Sequence, residues 1–527
     1  MKKSLRKGNQ VSVLEADEAV RLILSNATVG FVGAGGGLTE ATVLIEALAQ
    51  RYRKSQEPRD LTLYHCSGLG DRGDRGISPL AQEGLCRKII GGHWGQSPRL
   101  AEMAEKNKIE AYNFPQGVMA QLLRTAAAKQ PGILTHVGLG TFIDPRQGGG
   151  KLNEKTKEDL VKLMEVNGQE WLFYPAIPID VAIIRGTTAD TEGYISMEDE
   201  IAYLDALAMA QAAHNNGGIV IAQVQRLVKA RTLHPKSVRI PGYIVDAVVV
   251  VPEQPQLYAG SVNRFMSGDF IMETGSIVHA PLNERKVIAR RALLEVAPGN
   301  VGNVGVGISD GIGIVAREEG VEEEFTLTVE LGPIGGVSAQ GIFFGATVNM
   351  QAMLDMPAQF DFYHGGGLDV CFLSFAEVDQ AGNVNVHRFN GKIMGTGGFI
   401  DICQNSKKVI FSGTLTAGGL KTEVENGRIK IEQEGKFKKL ISKVPEITFN
   451  GRDALTRGQE VIYITERAVF RLTSEGLELS EVAPGIDIQK DIIDKMGFEP
   501  KITEDLREMD HRLFLPEPMG INKEWIK

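Results

Sequence analysis

Hydrophobic and polar positions near the start of the chain follow the pattern of an open α/β sheet. An apolar run at residues 28–32 predicts a buried strand, and the glycine-rich residues 33–37 predict a tight turn after it. From Thr39 to about Arg53, the spacing of apolar positions favours a helix. Strand, glycine turn and helix in succession are the building unit of sheets that are covered by helices.

The same pattern extends along the first half of the chain. We predict further strands at residues 60–64, 181–185 and 219–224, and helices at residues 79–87, 98–107, 118–129 and 198–213. Residues 137–150 are rich in glycine and are expected to form a loop. This alternation of strands and helices predicts the α/β class.

The second half of the chain repeats the first. Landmarks of the first half recur 189 positions later: Tyr174 as Tyr363, Asp190 as Asp379, and Val220 as Val409. A constant offset over several landmarks indicates an internal duplication. We therefore predict two homologous open α/β domains, residues 1–270 and 285–527, with the join inside residues 252–283, where prolines and glycines interrupt the apolar pattern.

One carboxylate, Glu330, stands out in the second half. It ends the strand-forming run 326–329 and precedes a glycine- and proline-rich turn at residues 332–336. Burying such a group is costly, and the amides of a bare glycine turn stabilise negative charge that develops beside it. The alternative is a glutamate that only caps the turn. In the aligned repeat Cys66 stands opposite Glu330, so the fold does not need the carboxylate. This difference between the two halves favours a catalytic role for Glu330.

Two glycine turns that follow predicted strands are further candidates. Residues 33–37 fail the dinucleotide-binding motif, because Leu38 stands where the third glycine belongs. Residues 307–311 spell G-x-S-x-G, which suits either a nucleophilic Ser309 or a turn whose amides bind phosphate or pantetheine. We favour the second interpretation, because the first half has Gly37 where the second half has the serine.

A third glycine-rich segment covers residues 391–399. It is either a bend that lets two strands pack closely or a source of amides, near Gly397 and Gly398, that face a developing oxyanion. The sequence alone leaves both interpretations open.

Composition and charge exclude several classes of protein. With 43% hydrophobic and 23% charged residues the chain has the composition of a soluble globular protein, and its net charge of −9 argues against nucleic-acid binding. No apolar stretch predicts a secretion signal or a membrane span, so we expect a cytoplasmic protein. No ligand spacing of histidines and cysteines is present, so no metal is predicted. We expect buried free thiols at Cys66, Cys86, Cys371 and Cys403.

Several motifs together resemble those of family I coenzyme A transferases, most of all the single-chain propionate and acetate branch. The resemblance covers nearly the whole chain, in the motifs NFPQG (113–117), GLGTFIDP (138–145), TVELGPIGG (328–336), FDFYHGGGLD (360–369), DQAGNVN (379–385), GTGGFID (395–401) and APGID (483–487). It is specific for the family and much less so for the substrate.

The resemblance implies a role for particular residues. Glu330 matches the glutamate that becomes a thioester with coenzyme A (CoA), and Gln116 matches a glutamine near that carboxylate. Gly397 and Gly398 match the segment that supplies an oxyanion-hole amide. The turn that contacts CoA corresponds to Gly305, Val306, Gly307, Ile308 and Ser309. Leu331 departs from the family, since many relatives have Ser or Asn there, so a hydrogen bond from that side chain is lost.

The function implied is exchange of CoA between a short-chain acyl-CoA and a carboxylate such as acetate. Covalent catalysis by a carboxylate needs neither metal nor ATP, so no cofactor is expected and CoA is a substrate. The resemblance also implies an active site between the two domains and a homo-oligomer, with a tetramer favoured. The alternatives are an acyl-CoA thioester hydrolase and an inactive CoA-binding regulatory protein.

Overall fold

The computed structural model describes residues 5–260, 262–273, 279–343 and 345–525. Within these residues the largest elements are two ten-stranded sheets, one in each half of the chain. The α/β class predicted from the sequence is confirmed. The limits of the two domains stay a prediction.

The first sheet contains the strands β1 to β10. Their bounds are Ser12–Val13 (β1), Thr28–Phe31 (β2), Leu61–His65 (β3), Cys86–Gly91 (β4), Glu110–Asn113 (β5), Val181–Asp190 (β6), Ile195–Ser196 (β7), Ile219–Val228 (β8), Val238–Ile240 (β9) and Ala247–Val250 (β10). Their order is β1-β10-β8-β6-β2-β3-β4-β5, and β7 pairs with β6 and β9.

The second sheet contains β11 to β20. Their bounds are Val301–Val304 (β11), Thr326–Thr328 (β12), Pro333–Ile334 (β13), Ala352–Met353 (β14), Val370–Ser374 (β15), Lys408–Ser412 (β16), Glu460–Ile464 (β17), Ala468–Thr473 (β18), Gly476–Val482 (β19) and Lys501–Glu508 (β20). Their order is β14-β13-β12-β11-β15-β16-β17-β18-β19-β20.

Helices cover these sheets. Their bounds are Ala16–Val20 (α1), Thr42–Ser55 (α2), Pro98–Glu105 (α3), Gln116–Ala127 (α4), Ala206–Asn215 (α5), Arg264–Ser267 (α6), Glu284–Leu293 (α7), Ile312–Glu318 (α8), Met356–His364 (α9), Phe399–Cys403 (α10), Gly451–Thr456 (α11) and Asn522–Trp525 (α12). Smaller sheets pair strands at 132–135, 162–166 and 169–175; 337–338 and 347–348; 377–379, 384–385 and 440–441; 388–389 and 392–393; 416–417 and 437–438; and 421–425 and 428–433.

The strand order confirms the duplication. In the first sheet five adjacent strands are parallel, in the order β10-β8-β6-β2-β3. The second sheet contains the corresponding series of five parallel strands, β17-β16-β15-β11-β12. Each strand of one series lies where its sequence repeat lies in the other.

Single hydrogen bonds are repeated as well. The Thr28 amide donates to the Asp180 carboxylate at 2.8 Å, and the Val301 amide donates to that of Asp369, 189 residues after Asp180, at 2.9 Å. The Asp190 carboxylate accepts from the amides of residues 192 and 194. The Asp379 carboxylate accepts from those of residues 381 and 383. The repeated aspartates are therefore structural groups that fix strand ends and turns.

Two predicted helices need correction. Residues 79–87 are not a helix: Pro79 belongs to a short 3₁₀ turn at Ser78–Leu80, and the strand β4 begins at Cys86. The helix predicted at 198–213 begins only at Ala206, because Leu204 has a φ of 50°, which an α-helix cannot contain. The acidic residues before it form ion pairs with Arg185 and Arg226.

The cysteines agree with the sequence prediction made for them. All four cysteines are buried and none forms a disulfide. In the part of the chain that the structure describes, no helix is both long and apolar enough to cross a membrane.

Candidate active site

Glu330 lies in the turn that follows β12. The Thr328 hydroxyl, at the end of the strand, contacts the Gly302 carbonyl at 2.9 Å and the Tyr363 hydroxyl at 2.8 Å. The amide of Gly332 then donates to the Val329 carbonyl at 3.0 Å, which closes the turn around Glu330. Gly332 has a φ of 124°, and a Cβ there would collide with a neighbouring carbonyl, so only glycine fits.

The environment of Glu330 disfavours its charged form. Its Oε2 atom is buried and has no hydrogen-bond partner among the described residues. Burial raises the pKa of the Glu330 carboxyl to about 7, its own backbone amide opposes this rise, and the negative charge of Asp401 adds to it. Asp401 is buried and accepts hydrogen bonds from the Val118 amide at 3.1 Å and from His364 Nε2 at 2.8 Å.

Glu330 opens into a cavity of about 610 Å³ between the two halves of the chain. The first half contributes residues after β2, β3 and β4 and at the start of α4, and the second half contributes residues after β11, β12 and β15 and before α10. Six of the residues predicted to form the site line it: Gln116, Gly305, Val306, Glu330, Gly397 and Gly398. The site is therefore built at the carboxyl ends of parallel strands, where open α/β sheets bind ligands.

Gln116 is the first residue of α4 and its side chain is buried. Its Nε2 lies 3.2 Å from Met356 Sδ, and its backbone amide donates to the Gly397 carbonyl at 3.0 Å. A Cβ added at Gly397 would lie 3.5 Å from Gln116 Oε1, so the carboxamide borders the glycine segment.

The segment 394–397 is held by the first half of the chain. The amides of Trp94 and Gly95 donate to the Met394 carbonyl at 2.8 and 2.9 Å. The Gly397 amide donates to the Gly92 carbonyl at 2.8 Å and is therefore already engaged. The Gly398 amide has no hydrogen-bond partner among the described residues. Of the two predicted glycines, only Gly398 has an amide left for a ligand.

The turn at residues 305–309 is only partly in the cavity. Gly305 and Val306 line it, whereas Gly307, Ile308 and Ser309 do not. Ser309 is buried and its hydroxyl donates to the Gly305 carbonyl at 2.8 Å, so it closes its own turn. This geometry agrees with a main-chain turn rather than with a nucleophilic serine.

The sequence interpretation missed one wall of the cavity. Residues of the first half form it: Ser67, Gly68, Arg72, His93 and Gln96. Burial lowers the pKa of His93 to about 4, and the positive charge of Arg72 and the neighbouring His65 add to this effect, so the imidazole is neutral at pH 7. The glycine-rich run at residues 91–95, directly after β4, was a signal that could have identified this wall.

Comparisons with known proteins identify the family of the chain. The profile of the family described as coenzyme A transferase matches residues 13–251. The acetate CoA-transferase YdiF of Escherichia coli K12 is 64% identical over 516 residues, which cover 98% of this chain and 97% of that protein. The caffeate CoA-transferase of Acetobacterium woodii is 42% identical over 518 residues, which cover 97% and 98%.

A solved structure shows the same fold. It is that of the acyl-CoA transferase YdiF of Escherichia coli O157:H7 as a thioester complex with CoA, with a TM-score of 0.94 and 62% identity, over 97% of this chain and 98% of that one. The chain therefore belongs to the coenzyme A transferase family, as its motifs indicated, and is an enzyme of that class.

Proposed function

We propose that this enzyme exchanges CoA between a short-chain acyl-CoA and a carboxylate such as acetate, through a thioester between Glu330 and CoA. The observation that carries the proposal is the position of the Glu330 carboxylate, half-buried at a strand end and open to a cavity of about 610 Å³. Two of the similar proteins support it. One is called an acetate CoA-transferase, and the solved structure of the other is described as a thioester complex with CoA.

In the first half-reaction the Glu330 carboxylate attacks the thioester carbonyl of the acyl-CoA. The carbonyl oxygen becomes an oxyanion, and CoA leaves as its thiolate, which gives a mixed anhydride of Glu330 and the acyl group. The thiolate then attacks the glutamyl carbonyl and expels the acyl group as a free carboxylate. The enzyme is left as a glutamyl-CoA thioester.

In the second half-reaction the incoming acid reverses these steps. Its carboxylate attacks the glutamyl carbonyl, CoA leaves, and the thiolate attacks the acid half of the new anhydride. A new acyl-CoA is released and Glu330 is again a free carboxylate. Because each step exchanges one acyl bond for another, no external energy source is needed.

The surroundings of Glu330 suit these steps. A carboxylate that is poorly solvated has less hydration to lose when it attacks, which makes it a better nucleophile. The Gly398 amide, which has no partner among the residues that the structure describes, is the donor that we assign to the oxyanion. Gln116 borders the same glycine segment, and we assign it a polar contact with the reacting groups.

For CoA we propose the turn after β11. Gly305 and Val306 reach the cavity, and Val306 is 42% exposed, so main-chain atoms of this turn are accessible to a ligand. Gly307, Ile308 and Ser309 then give the turn its shape, with Gly307 at a φ of 113° and the Ser309 hydroxyl on the Gly305 carbonyl.

The remaining predictions concern assembly and location. A homo-oligomer, with a tetramer favoured, and a cytoplasmic location stay proposals that come from the resemblance and the composition. The hydrolase alternative gains no support from the relatives, whose names describe transferases.

Initial-rate kinetics test the proposed reaction. With acetyl-, propionyl- or butyryl-CoA as donor, we expect transfer only when a carboxylate acceptor is present, and parallel double-reciprocal lines when donor and acceptor are varied. Free CoA that accumulates without an acceptor, at the same rate as with one, would identify a hydrolase instead.

A further inference from the structure

One cation at the mouth of the cavity, Arg72, has a side chain without a partner among the described residues. Among the described side chains that line the cavity, Glu330 is the only carboxylate, and Arg72 and Lys392 are the cations. Lys392 is paired with Glu105, at 3.1 Å. The guanidinium of Arg72 forms neither a hydrogen bond nor an ion pair with any described residue.

The neighbouring arginines behave differently. Arg75 lies 3.7 Å from the Asp71 carboxylate, and Arg99 lies 2.7 Å from that of Asp74. Acidic residues are therefore available around Arg72, and the arginine that faces the cavity is the one left unpaired. Arginine is the side chain best suited to hold a carboxylate, because its planar fork donates two parallel hydrogen bonds.

The backbone of Arg72 is held in an unfavourable conformation. Its φ is 64°, in the left-handed region that is unfavourable for residues other than glycine. The Arg72 amide donates to the Gln96 carbonyl at 3.0 Å, which fixes this conformation. Strain of this kind is concentrated at ligand-binding positions, because surrounding contacts must maintain it.

We propose that Arg72 binds the carboxylate of the acid substrate, an assignment that rests on the proposed transfer reaction. The cavity has two walls for two substrates. The second-half wall contains the turn with Gly305 and Val306 that we assign to CoA, and the first-half wall contains Arg72 beside Gly68 and His93. His93 is neutral at pH 7, so Arg72 carries the positive charge of that wall.

This placement explains the order of the two half-reactions. While Glu330 is a free carboxylate, its charge repels an incoming acid anion. Once Glu330 is a neutral thioester, that repulsion is gone and the attraction by Arg72 remains. The acid anion is thus drawn to the enzyme form that can react with it.

The test uses the second half-reaction in isolation. The enzyme is converted to glutamyl-CoA with acyl-CoA, freed of excess reagent, and mixed with increasing acetate while acetyl-CoA is measured. In Arg72→Gln we expect the acetate concentration for half-maximal rate to rise about tenfold or more, as for loss of a charge-assisted hydrogen bond. Arg72→Lys should be intermediate, and the exposed, paired Arg99→Gln should resemble the wild type.

Two further measurements keep the test decisive. Formation of glutamyl-CoA from acyl-CoA should depend on acyl-CoA concentration in Arg72→Gln as in the wild type. Arg72→Gly, which suits the left-handed backbone, should be at least as heat-stable as the wild type and yet lose acetate affinity.

Each contrary result has a distinct meaning. An unchanged response to acetate in Arg72→Gln would overturn the assignment, and so would a weakened response to acyl-CoA alone, which would place Arg72 on a CoA phosphate. If the wild-type enzyme itself forms no glutamyl-CoA, it is the proposed reaction that fails, and the Arg72 assignment fails with it.

Discussion

The side chain of Glu330 combines two features that stable proteins avoid. One carboxylate oxygen is buried and has no hydrogen-bond partner in the part of the chain that the structure describes, and burial of the group raises its pKa to about 7. Most buried polar atoms are hydrogen-bonded, because an unsatisfied one costs about 1–3 kcal/mol. A reaction in which the substrate interacts with this carboxylate explains why this oxygen of Glu330 is kept buried without a partner among the described residues.

This pKa predicts the pH dependence of the first half-reaction. Only the ionised carboxylate attacks, so the rate of glutamyl-CoA formation at low acyl-CoA should be low at acidic pH, where the carboxyl is protonated. It should rise with pH and reach half its plateau near pH 7. The measurement is the single-turnover rate from pH 5 to pH 9 at constant ionic strength. A rate that does not change between pH 5 and pH 8 would contradict it.

The unfolding temperature of the protein gives an independent test of the raised pKa of Glu330. Because the pKa of Glu330 in the folded state lies above its ordinary value of 4.5, the folded state holds more protons between about pH 4.5 and pH 7. The contribution of Glu330 to the stability of the folded state therefore falls as pH rises through that window. Glu330→Gln should unfold at a higher temperature than the wild type at pH 8, and the difference should shrink toward pH 5.

At the scale of elements, the segment before α10 contains the amide that we propose as the donor to the oxyanion. The Gly398 amide has no hydrogen-bond partner among the described residues. A Cβ added at Gly398 would lie 3.1 Å from Phe360 Cζ and 3.2 Å from Ile402 Cδ1. A larger side chain at Gly398 therefore crowds Phe360 and Ile402, and either these side chains or the Gly398 backbone must move.

We expect Gly398→Val to lower turnover about a hundredfold or more while the protein stays folded, because one oxyanion donor is worth that much. Gly313→Ala is the matched control, since Gly313 lies in α8 and a Cβ there would come no closer than 3.8 Å to a neighbouring atom. Circular dichroism and kcat are to be measured for both. Native turnover in Gly398→Val would remove this segment from the mechanism.

Local patterns predicted the central strands well and the helix starts less well. Apolar runs rich in β-branched residues, such as the starts of β6 and β8, favour a buried strand. Residues 79–87 have no such clear period, and their true structure depends on pairing of β4 with β3 and β5. The late start of α5 follows from the left-handed backbone of Leu204, which no local signal reveals.

At the scale of the whole molecule, the duplication predicted the architecture and the asymmetry of the site. Comparing the halves identified Glu330 opposite Cys66, and the matching strand orders explain why that comparison was valid. The wall with Arg72 and His93 could not be predicted in the same way. Its place beside Glu330 depends on how the two halves pack, for example on the bond between Gly397 and Gly92, which leaves no period in the sequence.

The central claim is the covalent intermediate on Glu330, and peptide mass spectrometry tests it most directly. Enzyme incubated with acyl-CoA and no acceptor should carry CoA on the peptide that contains Glu330, and borohydride should convert that residue to the alcohol. Glu330→Gln should form no adduct and no product while it still binds CoA, because a neutral amide is a poor nucleophile. A CoA adduct on another residue, or turnover without any adduct, would contradict the account.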